Sequence, residues 1–367
     1  MKYYIIAGEK SGDLHASNLM KEIKKKDSAA EFRCWGGDKM KEAGGDLVKH
    51  YRELAFMGFI EVLFNLKTIL KNLAFCKSDV LSYRPDVVIL VDYAGFNLKI
   101  AKFTKAQGIK TFYYISPKIW AWNQKRAFKI KAYVDKMFVI LPFEERFYEN
   151  YDYKVDFVGN PVMDAVKGFK PNPHFREKLE SGNKKIIAVL PGSRKQEIEA
   201  NLLKMVQLAR FFPEHLFLVA AVTDFPLEFF KSEESPNIRI VYGETYDVLT
   251  AAHAAIVTSG TATLETAMFK VPQVVCYKAN SVTYFIARSF IKINFISLVN
   301  LLADKEVVKE LIQDDFNIDN LKLELKKVIN NEEYRMFQLD EYNKIEAALS
   351  QHKASERAAE LMVNYLN

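Results

Sequence analysis

The sequence has few of the features that mark disulfide frameworks, secreted chains and membrane spans. Its cysteines, Cys34, Cys76 and Cys276, are far apart and form no CxxC pair. This spacing argues against a cysteine-ligated metal and favours a reducing compartment. No apolar run is long enough to cross a bilayer, and no signal-peptide pattern precedes the first strand-like residues. We therefore expect a soluble or peripheral cytoplasmic protein.

Histidine and aspartate are also spaced in ways that do not suit metal binding. No histidines form an HxxH or HxxxH pair, and no two aspartates form an Asp-x-Asp clamp. We expect no metal and no cofactor. The net charge of +6 is too small to indicate nucleic-acid binding, but a basic face suits anionic lipids or phosphorylated substrates.

Short apolar runs alternate with helical stretches along most of the chain, which is typical of parallel sheets with helices on both faces. A polar stretch with prolines and glycines lies between residues 160 and 184 and predicts a domain boundary. We expect an α/β protein of two Rossmann-like domains facing across a cleft. A helix is predicted over residues 340–366. The predicted strands are residues 3–7, 32–35, 87–91, 111–115, 137–140, 156–158, 186–190, 216–222, 238–241, 254–258 and 273–277.

Two loops after predicted strands carry candidate functional residues in the first half of the chain. Residues 7–13 (AGEKSGD) combine small residues with a helix start, which suits an anionic ligand; a capped tight turn explains them equally well. Asp92 ends a buried-type strand, where its carboxylate can act as a general base or cap the next helix. His15 is the one histidine near this predicted site.

Two tryptophans with basic neighbours follow another predicted strand. Trp120, Trp122 and Arg126 can provide sugar stacking and phosphate contacts. Packing of the tryptophans in the core, with a solvated basic face, is the alternative that we slightly favour for them.

The second half of the chain contains two loops suited to a diphosphate. In residues 190–194 (LPGSR), Arg194 can bind phosphate through two hydrogen bonds and Ser193 lies at a helix start. In residues 259–265 (SGTATLE), hydroxyls and helix-start N–H groups can cradle phosphate, and Glu265 can accept hydrogen bonds from a ribose. Ordinary helix capping is the alternative, but two such loops together favour a nucleotide site.

Two stretches, residues 56–75 and 284–302, combine wide apolar faces with lysine and arginine at their edges. Such helices suit a membrane interface or an acyl-chain groove, although burial in the core explains part of each stretch. In the first stretch, the residues that we assign to membrane or acyl chains are Phe56, Phe59, Ile60, Leu63 and Phe64.

An ordered series of short motifs resembles that of the lipid-A-disaccharide synthase family, inverting glycosyltransferases with the two-domain GT-B fold. The motifs are AGEKSGD, VDYAGFN, SPKIWAW, LPFE, FVGNP, LPGSR, SGTATLE and SLVNLL, and they extend over nearly the whole chain. The resemblance implies a metal-independent reaction of UDP-2,3-diacylglucosamine with 2,3-diacylglucosamine 1-phosphate. Its products would be a β-1,6-linked disaccharide and UDP, in lipid A biosynthesis.

The resemblance also implies an arrangement of domains and a location. Residues 1–165 would face the acceptor and the membrane, and residues 166–345 would bind the UDP-sugar. Residues 346–367 would form a helix associated with the first domain. The protein would lie on the cytoplasmic face of the inner membrane of a Gram-negative bacterium, as a monomer or homodimer.

We expect three sets of site residues under this resemblance. Asp92 matches the family's functionally important aspartate, and we expect it to accept the proton of the acceptor 6-hydroxyl, assisted by His15 or Glu9. The acceptor and its phosphate would contact Ser11, Gly12, Trp120 and Arg126. The donor would contact Ser193, Arg194, Ser259, Gly260, Thr261 and Glu265, with Asn300 close by.

The sequence departs from the family's pattern on the acceptor side. Members often read DAPDFN where this chain has residues 92–97, so Gly95 replaces a second acid. Lys118 and Asn123 stand in the tryptophan motif where small and basic residues are usual. The predicted donor site retains the family's pattern.

Other functions fit part of the sequence. A UDP-N-acetylglucosamine 2-epimerase or a murein glycosyltransferase shares the fold and a nucleotide cradle. The apolar stretches with basic edges favour a lipid substrate over the epimerase, and the order of motifs fits the murein enzyme less well. A sugar-nucleotide-binding sensor is the non-enzyme alternative, against which Asp92, Arg194 and Glu265 argue. The chain has no dense run of lysine and arginine that would favour nucleic acid.

Overall fold

The computed structural model describes residues 1–54, 66–179, 182–231, 235–279 and 294–367. These residues divide into two compact units, Met1–Pro161 with Leu349–Asn367, and Val162–Ala348. Each unit contains one parallel sheet with helices on its faces. The α/β class with two parallel sheets, predicted from the alternation of elements, is confirmed.

The first unit contains a seven-stranded sheet in the order β3-β2-β1-β4-β5-β6-β7. All neighbouring strands run parallel. Its strands are β1 (Lys2–Ala7), β2 (Glu31–Gly36), β3 (Asp46–His50), β4 (Val87–Val91), β5 (Lys110–Tyr114), β6 (Lys136–Val139) and β7 (Asp156–Phe157). Its helices before the boundary are α1 (Lys10–Lys26), α2 (Asp38–Glu42), α3 (Leu66–Tyr83), α4 (Ala94–Ala106), α5 (Ile119–Trp122), α6 (Arg126–Tyr133) and α7 (Phe143–Glu149).

The second unit contains a six-stranded parallel sheet in the order β10-β9-β8-β11-β12-β13. Its strands are β8 (Ile186–Leu190), β9 (Leu216–Ala221), β10 (Ile238–Tyr242), β11 (Ala254–Thr258), β12 (Gln273–Tyr277) and β13 (Lys309–Ile312). The helices from the boundary onward are α8 (Pro161–Gly168), α9 (Phe175–Lys178), α10 (Lys195–Gln207), α11 (Thr245–Ala251), α12 (Thr261–Met268), α13 (Leu298–Ala303), α14 (Ile318–Asn330), α15 (Glu332–Leu349) and α16 (Ala354–Leu366).

The first sheet is buried on both faces, as expected for a parallel sheet. Tyr3 and Ile5 on β1 belong to one core, together with Met362 of the last helix, α16. Tyr4 and Ile6, which alternate with them, belong to the core on the other face. The C-terminal helix is therefore part of the first unit's core.

The structure differs from the sequence prediction at the C-terminal helix. A continuous helix over residues 340–366 is wrong, because α15 ends at Leu349 and α16 begins at Ala354. The break coincides with the return of the chain to the first unit. It packs closely against that unit, since a Cβ added to Gly159 would lie 2.3 Å from the carbonyl oxygen of His352.

Candidate active site

The order of the strands marks one ligand-binding edge in each unit. In the first unit the chain builds outward from β1 to β3 and then returns to place β4 on the other side of β1. In the second unit β8 and β11 have the same relation. In open parallel sheets, ligands bind at the carboxyl ends of the strands where the order reverses. The loops at these two points contain the AGEKSGD, VDYAGFN, LPGSR and SGTATLE motifs.

The loops after β1 and β4 touch each other at Gly8 and Tyr93. A Cβ added to Gly8 would lie 2.3–2.6 Å from atoms of the Tyr93 ring, so only glycine leaves room for that ring. The Tyr93 hydroxyl donates to the carbonyl oxygen of Leu54 at 3.1 Å. Burial, with a smaller contribution from the charge of Glu9, raises the pKa of Tyr93. Glu9 therefore lies near the loop that contains the predicted base.

Asp92 lies in a strained turn held by buried side chains. Asp92 and Tyr93 both adopt left-handed backbone conformations, with φ of 46° and 48°. The fully buried Asn97 donates from Nδ2 to the carbonyl oxygens of Val91 and Asp92, at 3.2 and 2.8 Å. The hydroxyl of the buried Tyr113 donates to the same Asp92 carbonyl. These bonds fix the backbone that carries the Asp92 carboxylate.

The first helix contains one structural acid and one partly buried histidine. Asp13 is 2% exposed and accepts hydrogen bonds from the backbone N–H groups of Gly37, Lys39 and Met40 at 2.7–3.2 Å. Its carboxylate thus caps α2. Burial lowers the pKa of His15 to about 4, so its imidazole is neutral at pH 7 and is a weaker base than an exposed histidine.

The other two predicted acceptor residues on the first helix have different surroundings. Ser11 is exposed, whereas Gly12 is buried and a Cβ added to it would lie 3.2 Å from the Cβ of Ala7. Gly12 therefore allows close packing of α1 on β1, and Ser11 is the one of the pair whose side chain is open to a ligand.

The two tryptophans of the SPKIWAW motif differ in burial and in their partners. Trp120 is 6% exposed and its indole N–H donates to the buried carboxyl of Glu144 at 3.1 Å. Burial raises the pKa of Glu144 to about 7. Trp122 is 47% exposed, with the guanidinium of Arg126 4.4 Å from its ring centroid. Core packing therefore accounts for Trp120, whereas Trp122 and Arg126 remain open to a ligand.

The start of α10 is capped by one of its own residues. The carboxylate of Glu197 accepts the backbone N–H groups of Ser193 and Arg194 at 3.1 and 3.3 Å. Gly192 has a φ of +117°, and a Cβ added to it would lie 2.7 Å from Glu197. The Arg194 side chain is 60% exposed. Its guanidinium is accessible, while the backbone N–H groups of Ser193 and Arg194 at this helix start already have an acceptor.

The start of α12 is open by comparison. Within the described part of the chain, no group accepts a hydrogen bond from the backbone N–H of Gly260, Thr261 or Ala262. A Cβ added to Gly260 would meet no atom within 4 Å. The Ser259 hydroxyl donates to the carbonyl oxygen of Ile296 at 3.0 Å, which fixes this loop against the segment before α13. The N–H groups of this helix start are thus available to an anion.

Glu265 lies one turn after the open helix start. The hydroxyl of Tyr246 donates to its Oε1 at 2.7 Å, and burial raises the pKa of the Glu265 carboxyl. Tyr246 is the second residue of α11 and Glu265 lies in α12, so a hydrogen bond between these two helices holds the carboxyl in place.

Asn300 is fully buried and its amide is occupied by protein partners. Its Nδ2 donates to the carbonyl oxygen of Val308 and to Glu310, both at 2.8 Å, while its Oδ1 accepts from Val307 and Val308. Glu310 also accepts the N–H and hydroxyl of Ser297 at 2.9 and 2.7 Å. These hydrogen bonds fix the conformation of the SLVNLL segment.

Sequence reasoning missed several residues that support these loops. Asn97 was within a recognised motif, but its role follows only from its burial and its two carbonyl acceptors. Glu197 follows Arg194 by three residues, the spacing of a capping box, and could have been found from that signal. Tyr246 and Glu310 carry no sequence signal, because their partners are distant in the chain.

Comparison with known proteins decides the family. The profile of the family described as lipid-A-disaccharide synthetase matches residues 3–363. The chain belongs to this family. It is 37% identical to the lipid-A-disaccharide synthase of Syntrophus aciditrophicus, with 97% of this chain and 95% of that protein covered. It is 36% identical to lipid-A-disaccharide synthase 1 of Legionella pneumophila, with 98% and 96% covered. The predicted family and enzyme class are therefore confirmed.

Solved structures share the fold at much lower identity. The glycosyltransferase of kitacinnamycin matches with a TM-score of 0.69 at 13% identity, covering 100% of this chain and 99% of that one. A UDP-GlcNAc 2-epimerase from Neisseria meningitidis, bound to UDP-GlcNAc, matches with a TM-score of 0.66, 13% identity and the same coverage. Both confirm the GT-B type of fold. Because the two proteins differ in activity, the fold alone does not separate transferase from epimerase.

Both predicted apolar stretches, residues 56–75 and 284–302, lie partly outside the described residues, which omit 55–65 and 280–293. Phe56, Phe59, Ile60, Leu63 and Phe64 lie outside the described residues. Next to them, α3 exposes Leu66 and Leu70 by about half, while Leu73 and Cys76 are buried. Within the described ranges, no helix is both long and apolar enough to span a bilayer.

Proposed function

We propose that this chain transfers 2,3-diacylglucosamine from its UDP derivative to 2,3-diacylglucosamine 1-phosphate, releasing UDP. The observation that carries the proposal is the family match over nearly the whole chain. The arrangement of the sheets agrees with it, because each strand-order reversal carries loops with groups suited to this chemistry. The 6-hydroxyl oxygen of the acceptor attacks the anomeric carbon as the bond from that carbon to the UDP oxygen breaks.

The second unit binds the UDP part of the donor in this proposal. The open N–H groups at Gly260 and Thr261 bind a phosphate oxygen, and the exposed Arg194 guanidinium binds the other phosphate. Together they stabilise the charge that develops on the departing UDP. The Glu265 carboxyl, held by Tyr246, accepts hydrogen bonds from the ribose.

Ser193, Ser259 and Asn300 support this donor site in different ways. Ser193 contributes to phosphate binding through its N–H once Glu197 has moved from its position as a cap. Ser259 and Asn300 position the loops, because both use their side chains within the protein.

The first unit binds the acceptor and removes the proton of its 6-hydroxyl. Asp92 is the proposed base, since it lies on a fixed turn at the strand-order reversal. His15, neutral at pH 7, or the nearby Glu9 relays or shares the proton. Ser11 and Arg126 contact the acceptor. Gly12 and Trp120 are buried and support the site by packing.

We also propose that the protein binds the cytoplasmic face of the inner membrane peripherally. Helix α3 supports this location. Leu66 and Leu70 are 47% and 53% exposed and lie one helical turn apart, next to Lys67 and Lys71. An apolar face edged by lysines binds anionic lipid surfaces.

The base assignment is tested with Asp92→Asn, which keeps the size of the side chain and removes its basicity. We expect kcat to fall by about 10²–10⁴-fold, the usual contribution of a general base, with the KM for the UDP donor unchanged. Asp86→Asn, just before the opposite end of the same strand, is the matched control, because the Asp86 carboxylate accepts a hydrogen bond from the N–H of Lys2 at 2.7 Å, far from the turn. An Asp92→Asn enzyme with full kcat would transfer the role to His15 or Glu9.

A further inference from the structure

A basic cavity of about 320 Å³ lies beside α4 and α6 in the first unit. This volume is at the lower end of the range of about 300–1,000 Å³ for small-molecule pockets. The cavity begins at Ala94, two residues after Asp92. Its lining consists of Ala94, Gly95, Leu98, Lys99, Lys102, Arg126, Lys129 and Tyr133.

The spacing of these residues places four positively charged residues around one cavity. Lys99 and Lys102 are three residues apart on α4, and Arg126 and Lys129 are three residues apart on α6. Residues at this spacing share one side of a helix. The two helices pack against each other, so both basic faces border the same space.

These charges lack acidic partners. No acidic residue lines the cavity, and within the described part of the chain none of its four cations forms an ion pair. Other lysines of the same helices do have partners. Lys105 on α4 binds Asp135 at 2.6 Å, and Lys131 on α6 lies 3.8 Å from Asp152. Four uncompensated like charges around one space favour the binding of an anion.

The cavity also has room and donors for an anion at its Gly95 end. A Cβ added to Gly95 would meet no atom within 4 Å. Arg126 is held with its guanidinium over the ring of Trp122, at 4.4 Å from the centroid. A fixed guanidinium with nearby lysines is the arrangement that proteins use to bind phosphate groups.

We propose that this cavity binds a phosphate monoester, and that its ligand is the 1-phosphate of the acceptor sugar. The identity of the ligand rests on the proposed function, whereas the preference for a phosphate monoester rests on the cavity alone. Binding here would hold the acceptor next to the turn that carries Asp92, because Ala94 and Gly95 line the cavity and directly follow that turn. The site adds three lysines and Tyr133 to Arg126, one of the four residues predicted to contact the acceptor and its phosphate.

The first test neutralises one lysine on each helix, in Lys99→Gln with Lys129→Gln. We expect the KM for diacylglucosamine 1-phosphate to rise by roughly tenfold or more, as for the loss of one charge-assisted hydrogen bond. The KM for the UDP donor, and the KM for an acceptor without its phosphate, should not change. Lys21→Gln with Lys41→Gln is the matched control, because these exposed lysines lie elsewhere in the unit and give the same change in net charge.

A second pair of variants separates charge from structure at one position. Lys102→Glu and Lys102→Gln place side chains of nearly equal size at an exposed position that lines the cavity, and only the first adds a negative charge. We expect Lys102→Glu to bind the phosphorylated acceptor roughly tenfold more weakly than Lys102→Gln does. Equal affinity in the two variants would contradict the proposal.

A direct titration makes the result independent of turnover. In calorimetry, N-acetylglucosamine 1-phosphate should bind the unaltered chain and the Lys21/Lys41 variant but not the Lys99/Lys129 variant, and N-acetylglucosamine should bind none of them at this site. Such binding without any transferase activity would overturn the proposed function and keep the phosphate cavity. Absent or equal binding in all variants would overturn the cavity proposal.

Vesicle sedimentation distinguishes a lipid headgroup from the acceptor phosphate. Vesicles of phosphatidylcholine, with and without phosphatidylglycerol, should bind the Lys99/Lys129 variant and its control alike. If the Lys99/Lys129 variant alone loses binding to the anionic vesicles while its KM for the acceptor stays unchanged, the cavity serves the membrane and the proposal is wrong.

Discussion

Asn97→Ala tests whether the turn at Asp92 depends on one buried amide. Asn97 is completely buried, and its Nδ2 serves the carbonyl oxygens of Val91 and Asp92. The Asp92 carbonyl retains its bond from Tyr113, so one carbonyl loses a donor outright. An unsatisfied buried group costs about 1–3 kcal/mol, and the small cavity adds to this, so we expect a loss of about 2–3 kcal/mol in the free energy of unfolding.

The same change should reduce catalysis because the turn is strained. Left-handed conformations cost about 1–2 kcal/mol for each non-glycine residue, and Asp92 and Tyr93 both adopt one. Without the Asn97 amide, relaxation of this strain moves the Asp92 carboxylate. A displacement of about 1 Å in a catalytic group can lower kcat by about 100-fold. We therefore expect a large fall in kcat with an unchanged KM for the UDP donor.

Urea unfolding and steady-state kinetics measure the two effects separately, and Thr104→Ala is the matched control. Thr104 is a buried polar residue on the same helix, and its hydroxyl bonds to Ile100, Ala101 and Thr111 rather than to the turn. We expect the control to lose comparable stability and to keep its kcat. If Asn97→Ala is destabilised but turns over normally, the turn does not position the base and the reasoning fails.

Three further predictions concern other parts of the two sites. The pKa of the Glu144 carboxyl is about 7 in the folded chain, against 4.5 ordinarily, so the folded state holds this proton more tightly than the unfolded state. Its contribution to the free energy of unfolding is therefore complete below pH 4.5 and falls by about 3 kcal/mol as the pH rises to 7. Unfolding measured from pH 4 to 8 should show this decline, and Glu144→Gln should lack it. Gly8→Ala should cost about 1–3 kcal/mol by overlap with Tyr93, and calorimetric melting should show a smaller cost in a Tyr93→Ala background. Arg194→Lys should raise the KM for the UDP donor roughly tenfold, since lysine keeps the charge but not the paired donors, whereas Lys195→Arg should leave it unchanged.

The positions of the functional loops could be predicted from the sequence because they follow strongly apolar strands. The strands before Asp92, Arg194 and Ser259 are completely buried or nearly so, and each was predicted with little error. In a parallel sheet, the loops after such strands meet at one edge. The order of the family's motifs added the expected ligands of these loops.

Two edge strands, β3 and β13, could not be predicted from the sequence. Their sequences, DLVKH and KELI, contain charged residues, and most of their side chains are only half-buried. Edge strands of this kind lack the apolar run that marks a central strand. Their pairing is decided by the neighbouring strand rather than by their own residues.

The supporting side chains could not be predicted either, because their partners are far away in the sequence. Trp120 and Glu144 are 24 residues apart, and Asn300 and Glu310 are ten residues apart. The side chains of these four residues are of types that bind ligands as readily as they support a loop. Only burial and hydrogen-bond partners distinguish Asn300, which holds a loop, from Arg194, which remains exposed.

The most direct test of the central claim is disaccharide formation from purified substrates. UDP-2,3-diacylglucosamine is incubated with the protein in detergent micelles, with and without 2,3-diacylglucosamine 1-phosphate, and UDP and lipid products are measured by mass spectrometry with EDTA present. We predict UDP release that requires the acceptor, survives EDTA and equals the amount of disaccharide 1-phosphate formed. No disaccharide, together with epimerisation of UDP-N-acetylglucosamine, would contradict the account.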